Sequence, residues 1–133
     1  GTPWNQLFAA NQRVVAQGLL DLGILSGDIE TILANGEQRK FTVHKTGHWL
    51  GLHVHDVGSY HDADNEWVTL QPNMVFTIEP GIYIPSDCIE VDEQWRGIAI
   101  RIEDDILVTE CGYNNLSSNA PRTISEIEDT MKN

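Results

Sequence analysis

Apolar residues recur at helical spacing near the start of the chain. Leu7, Phe8, Val14, Val15, Leu19 and Leu22 fall on one stripe, which also carries Asn11 and Gly18. Thr2-Pro3 ahead of it reads as an N-cap followed by proline at the first helical position, and Gly23 behind it reads as a stop. A second, shorter helix is predicted after Ser26, using Ile29, Ile32 and Leu33 and ending at Asn35-Gly36. Neither helix carries obvious chemistry. After Gly36 the pattern changes to short β-like runs between turns, with strands predicted at Phe41 to His44, Met74 to Ile78, Gly81 to Ile84 and Ile106 to Thr109. The sharpest alternation runs from Gly97 to Glu103. There Ile98, Ile100 and Ile102 form a side expected to be core, while Ala99, Arg101 and Glu103 present a cation beside a carboxylate. Asp104 and Asp105 are expected to continue into a solvated turn. Thr123 and Glu126 form a capping box that opens a short final helix. With no repeat or linker, one unit is expected.

Composition narrows the partners. The 133 residues are 41% hydrophobic and 21% charged, ordinary for a chain that folds around a core. A formal net charge of −12 describes a solvated acidic surface and argues against nucleic acid, whose phosphates need a basic face. No apolar run approaches the roughly 20 residues that span a bilayer, and no signal peptide is visible. A cytoplasmic protein with no membrane partner is therefore expected. The start at Gly1-Thr2-Pro3, without Met, leads to the expectation of a piece of a longer protein. Cys88 and Cys111 form no metal-ligand pair and are expected as idle thiols rather than a disulfide.

The chemistry concentrates in three segments: His44 through Asp56, Thr77-Ile78-Glu79-Pro80-Gly81 and Arg101-Ile102-Glu103-Asp104-Asp105. His44 and His48 have the spacing of the two zincin histidines. That pattern needs Glu at position 45, where Lys45 stands, and Gly47 weakens the helix it requires. An isolated His is more often a hydrogen-bonded structural residue than a ligand. Here glycines at 47 and 51 flank His48, and two acidic strand ends follow. Glu79 ends an apolar run before Pro80-Gly81, where a carboxylate is costly to bury unless it is paired or bound to a cation. Glu103 shares a strand face with Arg101, so a structural ion pair is its alternative reading. A His and two Glu from separate segments suit a hard divalent cation.

Together the segments resemble the catalytic domain of Xaa-Pro aminopeptidases, in the pita-bread metallopeptidase family, over about Gly1 to Ser118. The most specific blocks are His48-Trp49-Leu50-Gly51-Leu52 with Val54-His55-Asp56-Val57-Gly58, Val75 to Gly81, and Trp95 to Asp105. The resemblance implies an α+β pita-bread fold, with residues 1–133 as its C-terminal half and helices packed on a curved, mostly antiparallel sheet. It implies two metal ions, commonly Mn2+ with Zn2+ or Co2+ as alternatives, held in the family by two Asp, one His and two Glu. By motif His48, Glu79 and Glu103 match the His and Glu ligands, Glu103 being the one that bridges both metals. His55 matches a His that contacts substrate and stabilises the tetrahedral intermediate, with Glu79 as general base. His44 matches another pocket His, and Arg101 an arginine that orients carboxylate ligands. His53 and His61 match nothing functional and are read as surface residues.

The implied activity is release of the N-terminal residue from peptides with proline in second position, by a hydroxide shared between the metals. A homo-oligomeric full-length form is implied too. Prolidase and a non-catalytic peptide- or protein-binding pita-bread module are the alternatives. Lys45 departs from the family pattern between the two histidines and puts the role of His44 in doubt. The two Asp ligands belong upstream of the opening helix, and nothing from Gly1 to His44 supplies them, so the chain alone is expected to be inactive.

Overall fold

The computed structural model describes residues 1–132. Helix α1 (Trp4–Asp21) starts one residue later than predicted. Pro3 is extended at φ −64° and ψ 145° and takes the N-cap place with no side-chain cap bond. Thr2 is drawn into pairing instead, its carbonyl accepting the Leu70 N–H at 2.9 Å. The buried side of α1 is Trp4, Asn11, Gln12, Val15, Ala16 and Leu19. It is rotated from the predicted stripe, because Gln12 accepts from Gln38 in the interior at 2.9 Å while Val14 remains 68% exposed. Gly23 does end the helix, at φ 68°, and folds the chain back so that Ile24 and Leu25 donate to the Leu19 carbonyl. Helix α2 (Ile29–Asn35) begins at Asp28, which accepts the Thr31 N–H, and stops at left-handed Gly36.

Phe41 to His44 does not form a strand. Phe41 is buried and gives its carbonyl to the Tyr83 N–H at 2.8 Å, after which the chain bends toward the site. Among the described residues five strands follow: β1 (Val75–Ile78), β2 (Gly81–Tyr83), β3 (Ala99–Arg101), β4 (Asp104–Thr109) and β5 (Gly112–Asn115). They make two antiparallel sheets, one of order β1-β4-β5 and one pairing β2 with β3. Asp104 and Asp105 lie inside β4, correcting the solvated-turn reading. The Asp104 carboxylate receives Arg122 at 2.7 Å on both oxygens and the Ser117 hydroxyl at 3.0 Å. Burial opposes its charge, but bonds from Asn115, Ser117 and Arg122 outweigh that and hold the carboxyl below its ordinary value. Helix α3 (Ile124–Met131) opens with both halves of the Thr123–Glu126 capping box in place.

Two apolar clusters carry the packing. Val15 and Leu19 of α1 meet Phe41, Ile84 and Val91, while Trp4 meets Leu70, Phe76 and Ile106. The Trp4 ring lies 4.5 Å from Trp49, 5.0 Å from Tyr60 and 5.2 Å from Phe76, between centroids, pinning α1 to the segment that carries His48. Ile98, Ile100 and Ile102 share a face as predicted, but that face is not core. They are 38%, 60% and 45% exposed, and with Val14, Leu22 and Ile82 they line an apolar groove. Alternation in sequence assigns a face; only a covering layer buries it. Cys88 and Cys111 are both free thiols.

Candidate metal centre

The site sits where one ladder changes sheets. β1 pairs with β4 as far as Ile78 opposite Asp104, and β2 with β3 from Gly81 opposite Arg101. Continued inward from either side, the register puts Glu79 opposite Glu103 and Pro80 opposite Ile102. Pro80 has no N–H to give, so regular pairing breaks there, although its carbonyl still accepts the Ile102 N–H at 3.2 Å. Two carboxylates therefore face each other across the break. Like charges in that relation repel.

His48 arrives along the free edge of β1. Thr77 N–H donates to the His48 carbonyl at 2.9 Å, Leu50 N–H to the Val75 carbonyl at 3.1 Å, and Glu79 N–H to the Thr46 carbonyl at 2.7 Å. Gly47 makes this docking possible, since a Cβ there would lie 1.8 Å from the Thr77 carbonyl oxygen. The Thr77 hydroxyl, itself buried, ties two of the segments. It accepts the His48 N–H at 3.0 Å and donates to Glu79 Oε1 at 3.2 Å.

The tautomer of His48 follows from its partners. Nδ1 lies 2.9 Å from the Trp49 carbonyl, which can only accept, so Nδ1 carries the proton. Nε2 then presents a lone pair 3.4 Å from Glu79 Oε1 and 4.0 Å from Glu103 Oε1. One donor atom from each of the three residues falls within 4.8 Å of the others. Three possible ligand atoms converge there, and a divalent cation fits that arrangement. Glu79 is buried at 8% exposure, while the Glu103 side chain is 42% exposed and leaves one side of the site open.

His44, Arg101 and Tyr83 form a relay beside Glu79. Arg101 Nε donates to the Tyr83 hydroxyl at 2.7 Å, and that hydroxyl reaches His44 Nε2 at 3.0 Å. His44 Nδ1 donates onward to the Lys45 carbonyl at 2.7 Å, which leaves Nε2 as the acceptor. Gly81 supplies the room: a Cβ there would come within 2.9 Å of His44 Nε2. A guanidinium nitrogen of Arg101 stands 3.5 Å from Glu79 Oε2, and His44 Nδ1 stands 3.8 Å from the same oxygen, too far for a hydrogen bond. Thr77 and Tyr83 are the site residues that sequence reasoning missed. Both share the alternate-residue face of Glu79 and Gly81, a signal weakened by the missing side chain of Gly81.

His55 is exposed on the loop after Leu50, its ring edge-on to that of His48 with centroids 4.4 Å apart. His53 is exposed outside the cluster, and His61 packs beside Trp67 at 4.1 Å. Lys45 is exposed and turned away, 5.5 Å over the Tyr60 ring, so its charge does not enter the centre. The structure thus gathers His44, His48, His55, Glu79, Arg101 and Glu103 around one point.

The chain is similar to known metallopeptidases. The pattern of metallopeptidase family M24 matches residues 1–110. A Haemophilus influenzae Xaa-Pro aminopeptidase is 47% identical over 132 residues, covering 97% of this chain and 30% of that protein. The solved structure of a Pseudomonas aeruginosa aminopeptidase superposes with a TM-score of 0.92 at 45% identity, over 98% of this chain and 30% of that one. A zinc-substituted E. coli aminopeptidase P in complex with product superposes at 0.82 and 47% identity, over 91% of this chain and 27% of that one. These likenesses bear out the α+β pita-bread expectation. The chain spans about 30% of the length of the curated relatives it matches.

Proposed function

The chain belongs to metallopeptidase family M24, and on that premise we propose that it is the C-terminal part, residues 1–133, of an Xaa-Pro aminopeptidase catalytic domain. The parent would release the N-terminal residue from peptides with proline in second position. The observation that carries this reading is the meeting of Glu79 and Glu103 across the ladder break, with the His48 Nε2 lone pair 3.4 Å and 4.0 Å from their oxygens. The names of the relatives supply the substrate class.

In this reading His48, Glu79 and Glu103 hold divalent metal, Mn2+ by the oxygen-rich donor set, together with an Asp pair from an upstream half. When bound, such cations supply Lewis acidity and make water nucleophilic at neutral pH. The chain's own residues do the rest. Glu79 accepts the proton as water attacks, because its carboxylate lies inside the site and Thr77 fixes its orientation. Arg101, with a guanidinium nitrogen 3.5 Å from Glu79 Oε2, keeps that oxygen aimed. His55 donates a hydrogen bond to the carbonyl oxygen as charge develops there. His44, held by Tyr83 and Lys45, lines the pocket at a fixed tautomer.

The test is a Glu103→Ala parent enzyme, assayed for bound metal and for turnover of a peptide with penultimate proline against one with penultimate alanine. Loss of metal together with proline-selective turnover is expected. Turnover retained after the metal is lost would overturn the scheme.

A further inference from the structure

The loop that carries His55 has little apolar anchorage. Leu52, Val54 and Val57 are 99%, 69% and 90% exposed, and none belongs to either apolar cluster. Hydrogen bonds hold it instead, and most converge on Asp56. Asp56 Oδ2 accepts the Leu52 N–H at 3.2 Å, and Oδ1 accepts the Val57 N–H at 3.0 Å. The Asp56 N–H donates to the Trp49 carbonyl at 3.1 Å, and Gly51 N–H donates to the His53 carbonyl at 3.2 Å. The loop is thereby closed on both sides of His55. The carboxylate occupies a recess that only glycine leaves open: a Cβ on Gly51 would lie 1.9 Å from Asp56 Oδ2.

We infer that Asp56 is a positioning residue that latches the 51–57 loop and holds His55 edge-on against His48, with Gly51 as the recess that receives its carboxylate. Asp56 itself faces the loop backbone rather than the converging ligands. Its effect on turnover, through His55, rests on the function proposed above; its effect on geometry does not. A carboxylate is suited to the task because it accepts at both oxygens at once, whereas an asparagine amide can accept at only one.

The experiment compares ring-proton cross-relaxation between His48 and His55, and between His48 and Thr77, by NMR in the 133-residue chain. Asp56→Ala and Gly51→Ala are expected to lose the His48–His55 contact while keeping the His48–Thr77 contact. Asp56→Asn is expected to retain a weakened His48–His55 contact, which keeps the inference testable where the alanine variants fail to fold. An undiminished His48–His55 contact in Asp56→Asn and Gly51→Ala overturns the latch, and so does equal loss of both contacts, which would make Asp56 a general stabiliser. In the parent enzyme Asp56→Ala should lower kcat about 10- to 100-fold with a smaller change in KM, the scale of an ångström-level misplacement. Full activity of a His55→Ala parent would instead overturn the role of His55, leaving the latch to stand on the contact measurements.

Discussion

Glu79 and Glu103 occupy opposite positions of one antiparallel ladder, at the point where it passes from β1–β4 to β2–β3. Without a cation, that pairing is unfavourable. Glu103→Gln should therefore stabilise the metal-free chain, by up to about 1 kcal/mol on the scale of cross-strand pairs. In excess Mn2+ the order should reverse, because ligand-linked stabilisation grows with affinity and the variant has lost a charged donor. Melting both proteins in chelator and in Mn2+ reads the crossing. A variant that melts below wild type in chelator would show that the carboxylates do not repel.

Thr77 links the ligand-bearing segments through a single buried hydroxyl. Thr77→Val keeps the shape but leaves the His48 N–H and Glu79 Oε1 each without a partner. A loss of about 1–3 kcal/mol in urea unfolding is expected from orphaning buried polar groups, with weaker Mn2+ binding as well. Unchanged stability would mean that water replaces the hydroxyl without penalty.

The ligand residues were legible because each stands beside glycine or proline or at a strand end, where regular pairing yields. Glu79 before Pro80-Gly81 and His48 after Gly47 are of this kind. The supporting residues were not read, although Thr77, Glu79, Gly81 and Tyr83 alternate onto one face; Gly81 hid the periodicity by lacking a side chain. β5 went unseen because Gly112–Asn115 has no apolar alternation and is held by backbone pairing to β4. Phe41 to His44 alternates like a strand, yet among the described residues its one backbone bond to a strand is that from the Tyr83 N–H to the Phe41 carbonyl. Burial was the least legible quantity. Nothing in Ile98, Ile100 and Ile102 themselves says whether another layer covers them.

Acid should fray α3 from its N-terminus. Backbone N–H groups of Thr123 and Arg122 hold the Glu126 carboxylate from its usual 4.5 down to about 2. A carboxyl with a depressed folded pKa contributes stability above its unfolded value, and that contribution is lost as pH falls toward the folded value. The cap should thus be intact at pH 5 and above and weaken progressively between about 4.5 and 2. Asp104, also held low, should release Arg122 in the same direction. Amide exchange of residues 124–127 read against pH checks this; Glu126→Gln should remove most of the dependence.

The exposed groove should drive self-association. Val14, Leu22, Ile98 and Ile100 present contiguous apolar surface, of the kind that marks an interaction face. Sedimentation at rising concentration should show association by the chain, and Ile100→Ser, at 60% exposure, should reduce it without unfolding the protein. A monomer at every concentration would mean that the groove is adequately hydrated.

Hydrolysis should be absent from the isolated chain. His48, Glu79 and Glu103 offer one ligand atom each within 4.8 Å, whereas hard cations are held well by six or more oxygens, several of them charged. Mn2+ should therefore bind weakly, with much of its shell left to water. The measurement is release of the first residue from a peptide with penultimate proline, in excess Mn2+, by chain purified away from host peptidases. No release is expected, and adding a separately produced upstream half should restore it. Turnover by the chain alone, abolished by Glu79→Gln, would show that the His and two Glu suffice.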